Sequence, residues 1–283
     1  MIQIKRYDIA NASYQKQVTI YYDDQVDLKA SILYFHGGGF LYGSREDLPE
    51  LHIETITKAG YAILSYDYPL APAATLEVIH KDVCDSVQNY LANAATYVGS
   101  QLPYFLWGRS AGAYLCLIAA YKGDFFVSPR GILSYYGYGF LCDNWFNTPS
   151  AYYRSLPMVP WSCMDNIGSE IETEGPLETH YMRYVHARQT GSWKDMFFKD
   201  RDKFLYLNYS LRLCDKLPCP LFCAHSTNDT DVPYEECFEM QKKYRPEMFV
   251  ASTDVHDFDR LTETKVAQDL LTATVQFLDS KIL

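Results

Sequence analysis

A serine hydroxyl, an imidazole and a carboxylate can together cleave an acyl bond, and the chain carries each in a setting that suits the part. Ser110 stands in Gly108-Arg109-Ser110-Ala111-Gly112, where a short apolar run, Tyr104 to Trp107, gives way to a longer one, Ala113 to Tyr121. That spacing predicts a sharp strand-to-helix turn with Ser110 at its apex and free backbone N–H groups beside it. By itself the pentapeptide also suits an ordinary capped helix start. A serine is a weak nucleophile at neutral pH, so the chemistry further requires a base within hydrogen-bond reach and a group that holds the base in the right tautomer.

Seven histidines are available. His52 and His80 fall on helical patterns, His180 and His186 lie in an irregular segment, and His36 and His225 end strands. His256, in Thr253-Asp254-Val255-His256-Asp257-Phe258, sits between the last strand and the last helix, where a base can swing over a sheet edge. Asp229 and Asp231 both follow the penultimate strand, and either could orient it. Negative charge building on a carbonyl oxygen needs preorganised donors, and the N–H groups of Gly38, Gly39 and Ala111 are the candidates; losing one such donor costs about 2.7–4 kcal/mol. Activity is expected to fall in acid as His256 protonates, with an apparent pKa near or below about 7.

These residues need a scaffold. Apolar runs predict strands at Ile2 to Tyr7, Gln17 to Tyr22 (alternating, with one wet face), Ala30 to Phe35, Tyr61 to Tyr66, Tyr104 to Trp107, Gly131 to Tyr136, Pro220 to Ala224 and Met248 to Ser252. Helices are expected at Leu48 to Ala59, from Thr75 onward with Leu76, Ile79, Val83, Val87 and Tyr90 on one stripe, at Ala113 to Tyr121, Tyr234 to Tyr244 and Thr262 to Leu278. The alternation implies an α/β fold: a mostly parallel eight-stranded sheet with helices on both faces. In such a sheet the loops leaving the carboxyl ends of the strands share one edge, and the glycine loop, Ser110, Asp229/Asp231 and His256 all occupy such loops. From 139 to 208 the periodicity fails. We read that segment as an inserted cap within a single domain, 1–283, with short helices near Pro176 to His186 and Phe204 to Cys214.

Composition narrows the function. The 283 residues carry 35 acidic and 25 basic side chains, a formal net charge of −10, with no basic cluster longer than Lys242-Lys243, which argues against nucleic acid or an anionic membrane as partner. Lys5, Arg6 and Asp8 stand where a secretion signal would need an apolar core, and the longest apolar run is about half of the roughly 20 residues a membrane span needs. A cytoplasmic protein with eight reduced cysteines is therefore expected. Cys219, Cys223 and His225 suit alternation along a buried strand better than a metal site. No cofactor or metal is called for; the expected partner is a small-molecule ester, and a homodimer is left open.

His36-Gly37-Gly38-Gly39, Asp67-Tyr68-Pro69-Leu70-Ala71-Pro72, Gly108-Arg109-Ser110-Ala111-Gly112, Asp229-x-x-Val232-Pro233 and His256 occur in the order seen in the α/β-hydrolase superfamily, and the chain resembles its hormone-sensitive-lipase-like esterase branch. The resemblance implies an α/β-hydrolase fold, Ser110 as nucleophile, His256 as base, Gly38, Gly39 and Ala111 as oxyanion hole, and an aspartate after the penultimate strand, Asp229 by its position relative to Val232-Pro233. It implies a serine carboxylesterase acting through an acyl-enzyme. An amidase or peptidase on the same fold ranks second, and a non-catalytic small-molecule binder third. Three departures stand out: Arg109 replaces an acidic residue common before the serine, Ala113 replaces a frequent glycine, and Asp67 to Pro72 only approximates the usual Tyr-Arg-Leu-Ala-Pro.

Overall fold

The computed structural model describes every residue except Ala12, Asn166 and Leu283. Eight strands form one sheet: β1 (Ile2–Asp8), β2 (Gln17–Asp23), β3 (Ala30–Phe35), β4 (Tyr61–Tyr66), β5 (Tyr104–Arg109), β6 (Ile132–Tyr135), β7 (Leu221–Ser226) and β8 (Glu247–Ala251), in the order β1-β2-β4-β3-β5-β6-β7-β8. β2 pairs antiparallel with β1 and with β4, and the six strands from β4 to β8 are parallel. The fold is that of the α/β-hydrolases.

Strand periodicity of two divides the core. In β3, Ile32 and Tyr34 point to one face of the sheet, with Trp107, Leu133 and Phe222, under helices α1 (Glu50–Lys58) and α9 (Lys265–Ser280). Leu33 and Phe35 point to the other, with Leu64 and Leu106, under α2 (Leu76–Val98) and α3 (Ala111–Lys122). Both faces are covered, which is why these strands read as unbroken apolar runs rather than alternating ones. The α2 stripe Leu76, Ile79, Val83, Val87 and Tyr90 is buried as its spacing requires, Thr75 accepts the Val78 N–H as N-cap, and Gly99 closes the helix in the left-handed region.

Two local expectations are corrected. β2 has no wet face, because Thr19 and Tyr21 are buried as well as Val18 and Ile20; Arg45 covers that side and donates from Nε to Thr19 Oγ1 at 3.1 Å. The helix expected over Phe204 to Cys214 is two pieces, α7 (Asp202–Asn208) and a 3-10 turn, Leu211–Leu213, since Ser210 turns its hydroxyl back to the Tyr206 carbonyl and caps the second piece.

Between β6 and β7 the chain leaves the sheet. Residues 139–208, of which Asn166 lies outside the description, hold α4 (Ala151–Ser155), α5 (Leu177–Thr190), α6 (Trp193–Phe197) and α7. Arg45 joins this segment to the sheet by bonding both Asp67, at 2.6 Å, and Glu174. Gly43 and Gly175 exchange backbone hydrogen bonds across the same contact. The remaining helix, α8 (Tyr234–Tyr244), follows β7. Among the described residues, no helix is long and apolar enough to cross a membrane.

Candidate active site

Register brings the candidates together. Phe35 of β3 aligns with Gly108 of β5, Arg109 with Tyr135 of β6, and Ser226 of β7 with Ala251 of β8, so the loops after β3, β5, β6, β7 and β8 open at one sheet edge. β5 runs two residues further than its apolar core suggests, through Arg109, and α3 starts at Ala111, leaving Ser110 alone to make the turn. Its φ of 52° and ψ of −116° are strained for a residue with a Cβ. Two hydrogen bonds hold it there: its N–H to the Tyr135 carbonyl at 2.9 Å, and its carbonyl from the Tyr114 N–H at 3.1 Å. The turn demands Gly112, because a Cβ there would overlap the Phe35 and His36 carbonyls.

Ser110 Oγ lies 3.0 Å from His256 Nε2, and His256 Nδ1 lies 2.7 Å from Asp229 Oδ2. Asp229 is itself oriented, its Oδ1 accepting the Asp231 and Val232 N–H groups at 2.8 and 2.9 Å. With Nδ1 facing Asp229 Oδ2, Nε2 faces the Ser110 hydroxyl. Of the seven histidines, His256 is the one bonded to Ser110 among the described residues. His36 stacks on Tyr68, His52 faces Asp259, His180 faces Glu172, His186 binds the Val159 carbonyl, and His225 binds the Val232 carbonyl. His80 lies beside Cys84.

Asp231 does not reach His256. Its carboxylate accepts from Tyr184 Oη at 2.8 Å and Tyr153 Oη at 3.1 Å, and pairs with Arg188 Nη2 at 3.3 Å. Of the two aspartates left open by the sequence, one contacts the histidine and the other contacts residues 139–208.

Burial of His256 disfavours its charged form, but the Asp229 carboxylate, the hydrogen bond to it, and the nearby Asp231 and Asp257 outweigh burial and push the imidazole up to about 9. This corrects the expectation of a value near 7; the sequence does not disclose how many carboxylates surround the ring. Burial would raise the Asp229 carboxyl, yet His256 and the backbone donors hold it below its ordinary value.

Gly38 and Gly39 border the same space, a cavity of about 450 Å³ that also meets Ser110, His256, Tyr136 and Tyr184. Gly38 takes φ 95°, where a Cβ would overlap the Tyr42 carbonyl. Leu41 and Tyr42 donate to the Gly38 carbonyl and Trp193 Nε1 donates to the Gly39 carbonyl, whereas the N–H groups of Gly38 and Gly39 have no protein acceptor among the described residues. Ala111 is the first residue of α3, so its N–H has no partner within the helix. Cys223 Sγ lies 3.9 Å from Met240 Sδ, and among the described residues no group of three or more His, Cys, Asp or Glu is placed to hold a metal ion.

Two sets of residues escaped the sequence reading. One is Tyr153, Tyr184 and Arg188, which hold Asp231; the other is Asp259 with Tyr136, which hold Arg109. Arg109 carried a signal, a charge at the end of a buried strand. Its partner 150 positions later carried none.

A family model described as the α/β-hydrolase fold matches residues 32–162. Among solved structures, one of a Staphylococcus aureus protein of unknown function superposes with a TM-score of 0.85 at 26% identity, covering 99% of this chain and 100% of that one. An α/β-hydrolase superfamily protein from Enterococcus faecalis gives 0.83 at 23%, covering 98% and 99%. A bacterial heroin esterase gives 0.70 at 15%, covering 100% and 85%. Curated relatives match over smaller parts. Lipase 2 of Moraxella sp. (strain TA144) is 33% identical over 93 residues, 32% of this chain and 21% of the lipase. A non-reducing polyketide synthase of Penicillium roqueforti is 28% identical over 179 residues, 57% of this chain, which spans only 7% of the synthase. The family model and the superpositions agree on the α/β-hydrolase fold for this chain.

Proposed function

We propose that the protein is a serine carboxylesterase that cleaves small esters through Ser110, His256 and Asp229. One observation carries the reading: the unbroken hydrogen-bonded line from Ser110 Oγ through His256 to Asp229, open to a cavity whose rim presents the Gly38 and Gly39 N–H groups. As the Ser110 oxygen attacks the ester carbonyl, His256 Nε2 takes its proton, and Asp229 stabilises the imidazolium. The carbonyl oxygen becomes an anion held by the N–H groups of Gly38, Gly39 and Ala111. Collapse expels the alkoxide, which leaves with the proton from His256. Water, deprotonated by the same imidazole, then attacks the acyl-enzyme, and the acid is released as His256 returns that proton to the departing Ser110 Oγ.

The ester preference draws on the likeness to Lipase 2 and to a heroin esterase. A cavity of about 450 Å³, walled by Tyr42, Tyr153, Tyr181 and Tyr184, suits a short or aromatic acyl group better than a long chain. Residues 139–208 act as the cap over it. Eight free cysteines agree with a reducing cytoplasmic setting. The test is turnover of p-nitrophenyl acetate with labelling of Ser110 by a fluorophosphonate: a wild-type chain that does neither, or a Ser110→Ala variant that keeps most of the turnover, overturns the proposal.

A further inference from the structure

Directly beside the Ser110–His256 pair lies a second polar cluster. Arg109, the residue before Ser110, is buried, and its guanidinium serves three acceptors: Nε donates to Tyr136 Oη at 2.7 Å, Nη2 to Asp259 at 3.1 Å and Nη1 to Asp47 at 3.4 Å. Asp259 is the hub. It is fully buried, accepts from Tyr136 Oη at 2.7 Å as well as from Arg109, and has His52 Nε2 2.9 Å from its second oxygen. Four places in the fold meet on it: the end of β5, the residue after β6, helix α1, and the turn Phe258–Arg260 that follows His256.

Asp259 lies three residues beyond His256 on the same loop. Tyr136, whose hydroxyl is held by both Arg109 and Asp259, sets its ring 4.6 Å from the His256 ring at 60°. On the other side the loop is fastened to β7, by Ser226 Oγ to the Val255 carbonyl at 2.8 Å and by the Asn228 N–H to the Thr253 carbonyl at 3.1 Å. Those bonds tie the base's loop to the strand of the acid. Besides the His256–Ser110 contact itself, the Arg109 cluster ties it, among the described residues, to the strand of the nucleophile.

Resting on the serine-hydrolase reading above, we propose that Arg109 and Asp259 are a positioning pair, which locks the strand bearing Ser110 to the loop bearing His256 and so sets the separation across which the proton passes. Arginine suits this task because its planar fork can serve Tyr136, Asp259 and Asp47 at once, where a lysine offers one point charge. An acidic residue at 109 would set two carboxylates against each other, so Arg109 and Asp259 belong together. A buried ion pair is seldom the most stable filling for its volume, which makes geometry rather than stability the reason for this one.

The test is the double variant Arg109→Gln/Asp259→Asn, which removes both charges and leaves neither uncompensated. With its circular dichroism unchanged, kcat on p-nitrophenyl acetate is expected to fall at least tenfold while KM stays within twofold. The midpoint of the kcat/KM pH profile should stay where the wild type has it, because Ser226 and Asn228 still hold the His256 loop to the strand of Asp229. Arg109→Lys, which keeps the charge without the fork, should fall between in kcat. The low-field proton resonance of the His256–Asp229 hydrogen bond should persist in the double variant, while the nitrogen resonance of His256 Nε2, which reports its bond to Ser110 Oγ, should move. A folded double variant with wild-type kcat and Nε2 resonance, or one that loses the low-field proton resonance, overturns the pair. If it does not fold, Tyr136→Phe, which keeps the ring against His256 and removes the shared hydroxyl, must lower kcat at an unchanged midpoint, and overturns the pair if it leaves kcat unchanged. A wild-type chain inert to esters and to fluorophosphonate sinks the hydrolase reading instead, and the Nε2 resonance then judges the pair's geometry independently of turnover.

Discussion

Tyr184 Oη lies 2.8 Å from both oxygens of the Asp231 carboxylate, so helix α5 is bonded to the same turn whose Asp229 holds His256. The Asp231 N–H donates to Asp229 Oδ1, so the carboxylate that contacts residues 139–208 and the carboxylate that orients the imidazole are one hydrogen bond apart. The segment over the cavity and the site beneath it therefore share a joint.

Breaking that joint should be costly. Arg188 is buried with Asp231 as its carboxylate partner and three aromatic rings around its guanidinium. Asp231→Leu leaves the cation uncompensated, and a loss of about 3–5 kcal/mol is expected. Tyr184→Phe removes a hydroxyl bonded to a charged group and should lose about 1.5–3 kcal/mol. Urea titration followed by circular dichroism measures both; a Tyr184→Phe midpoint equal to that of the wild type refutes the second figure.

Activity should rise into the alkaline range. His256 must be neutral to accept the serine proton, and with its imidazole pushed up to about 9, about a hundredth of it is neutral at pH 7. kcat/KM is then expected to climb roughly tenfold per pH unit from 7 towards a plateau above 9. Stability runs the opposite way: a histidine raised in the folded state contributes stability below its unfolded pKa of about 6.5, and that contribution is lost as pH rises through about 9. A kcat/KM profile already flat at pH 7 contradicts both statements.

Asp229→Asn should leave the shape intact, with the amide still able to accept the Asp231 and Val232 N–H groups, while favouring the wrong His256 tautomer. A loss of about 10⁴ in kcat is expected, whereas Asp231→Asn should change kcat far less. Steady-state kinetics on one activated ester distinguishes the two aspartates.

Gly112→Ala should fail at the level of the turn. Its Cβ would overlap the Phe35 and His36 backbone carbonyls, so the strand-to-helix turn must open and carry Ser110 away from His256. Loss of fluorophosphonate labelling together with a lower thermal midpoint is the expected pair of results; full labelling rate refutes it.

The acyl group proposed to suit the cavity of about 450 Å³ is short or aromatic. Across p-nitrophenyl esters of increasing acyl length, kcat/KM should peak at a short acyl chain and fall beyond it, and a maximum at a long chain overturns that reading.

What the chain's order of residues determined by itself was the scaffold. Runs such as Ala30 to Phe35 and Tyr61 to Tyr66, the α2 stripe and the glycines around Ser110 follow from local periodicity and from backbone space, and these act between residues near one another in the chain. The motif order was legible for the same reason. The choice between Asp229 and Asp231 as the carboxylate at His256 was indicated by the resemblance alone, through the place of Asp229 before Val232-Pro233, and not by local periodicity; two residues apart on one turn, they part because Tyr153, Tyr184 and Arg188 hold Asp231. The role of Arg109 was hidden, since its partner Asp259 lies 150 positions away, and a pairing across that distance leaves no periodic trace. The field around His256 belongs to the same class: Asp229, Asp231 and Asp257 converge on one ring only after β7 and β8 pair and bring their loops to the same edge.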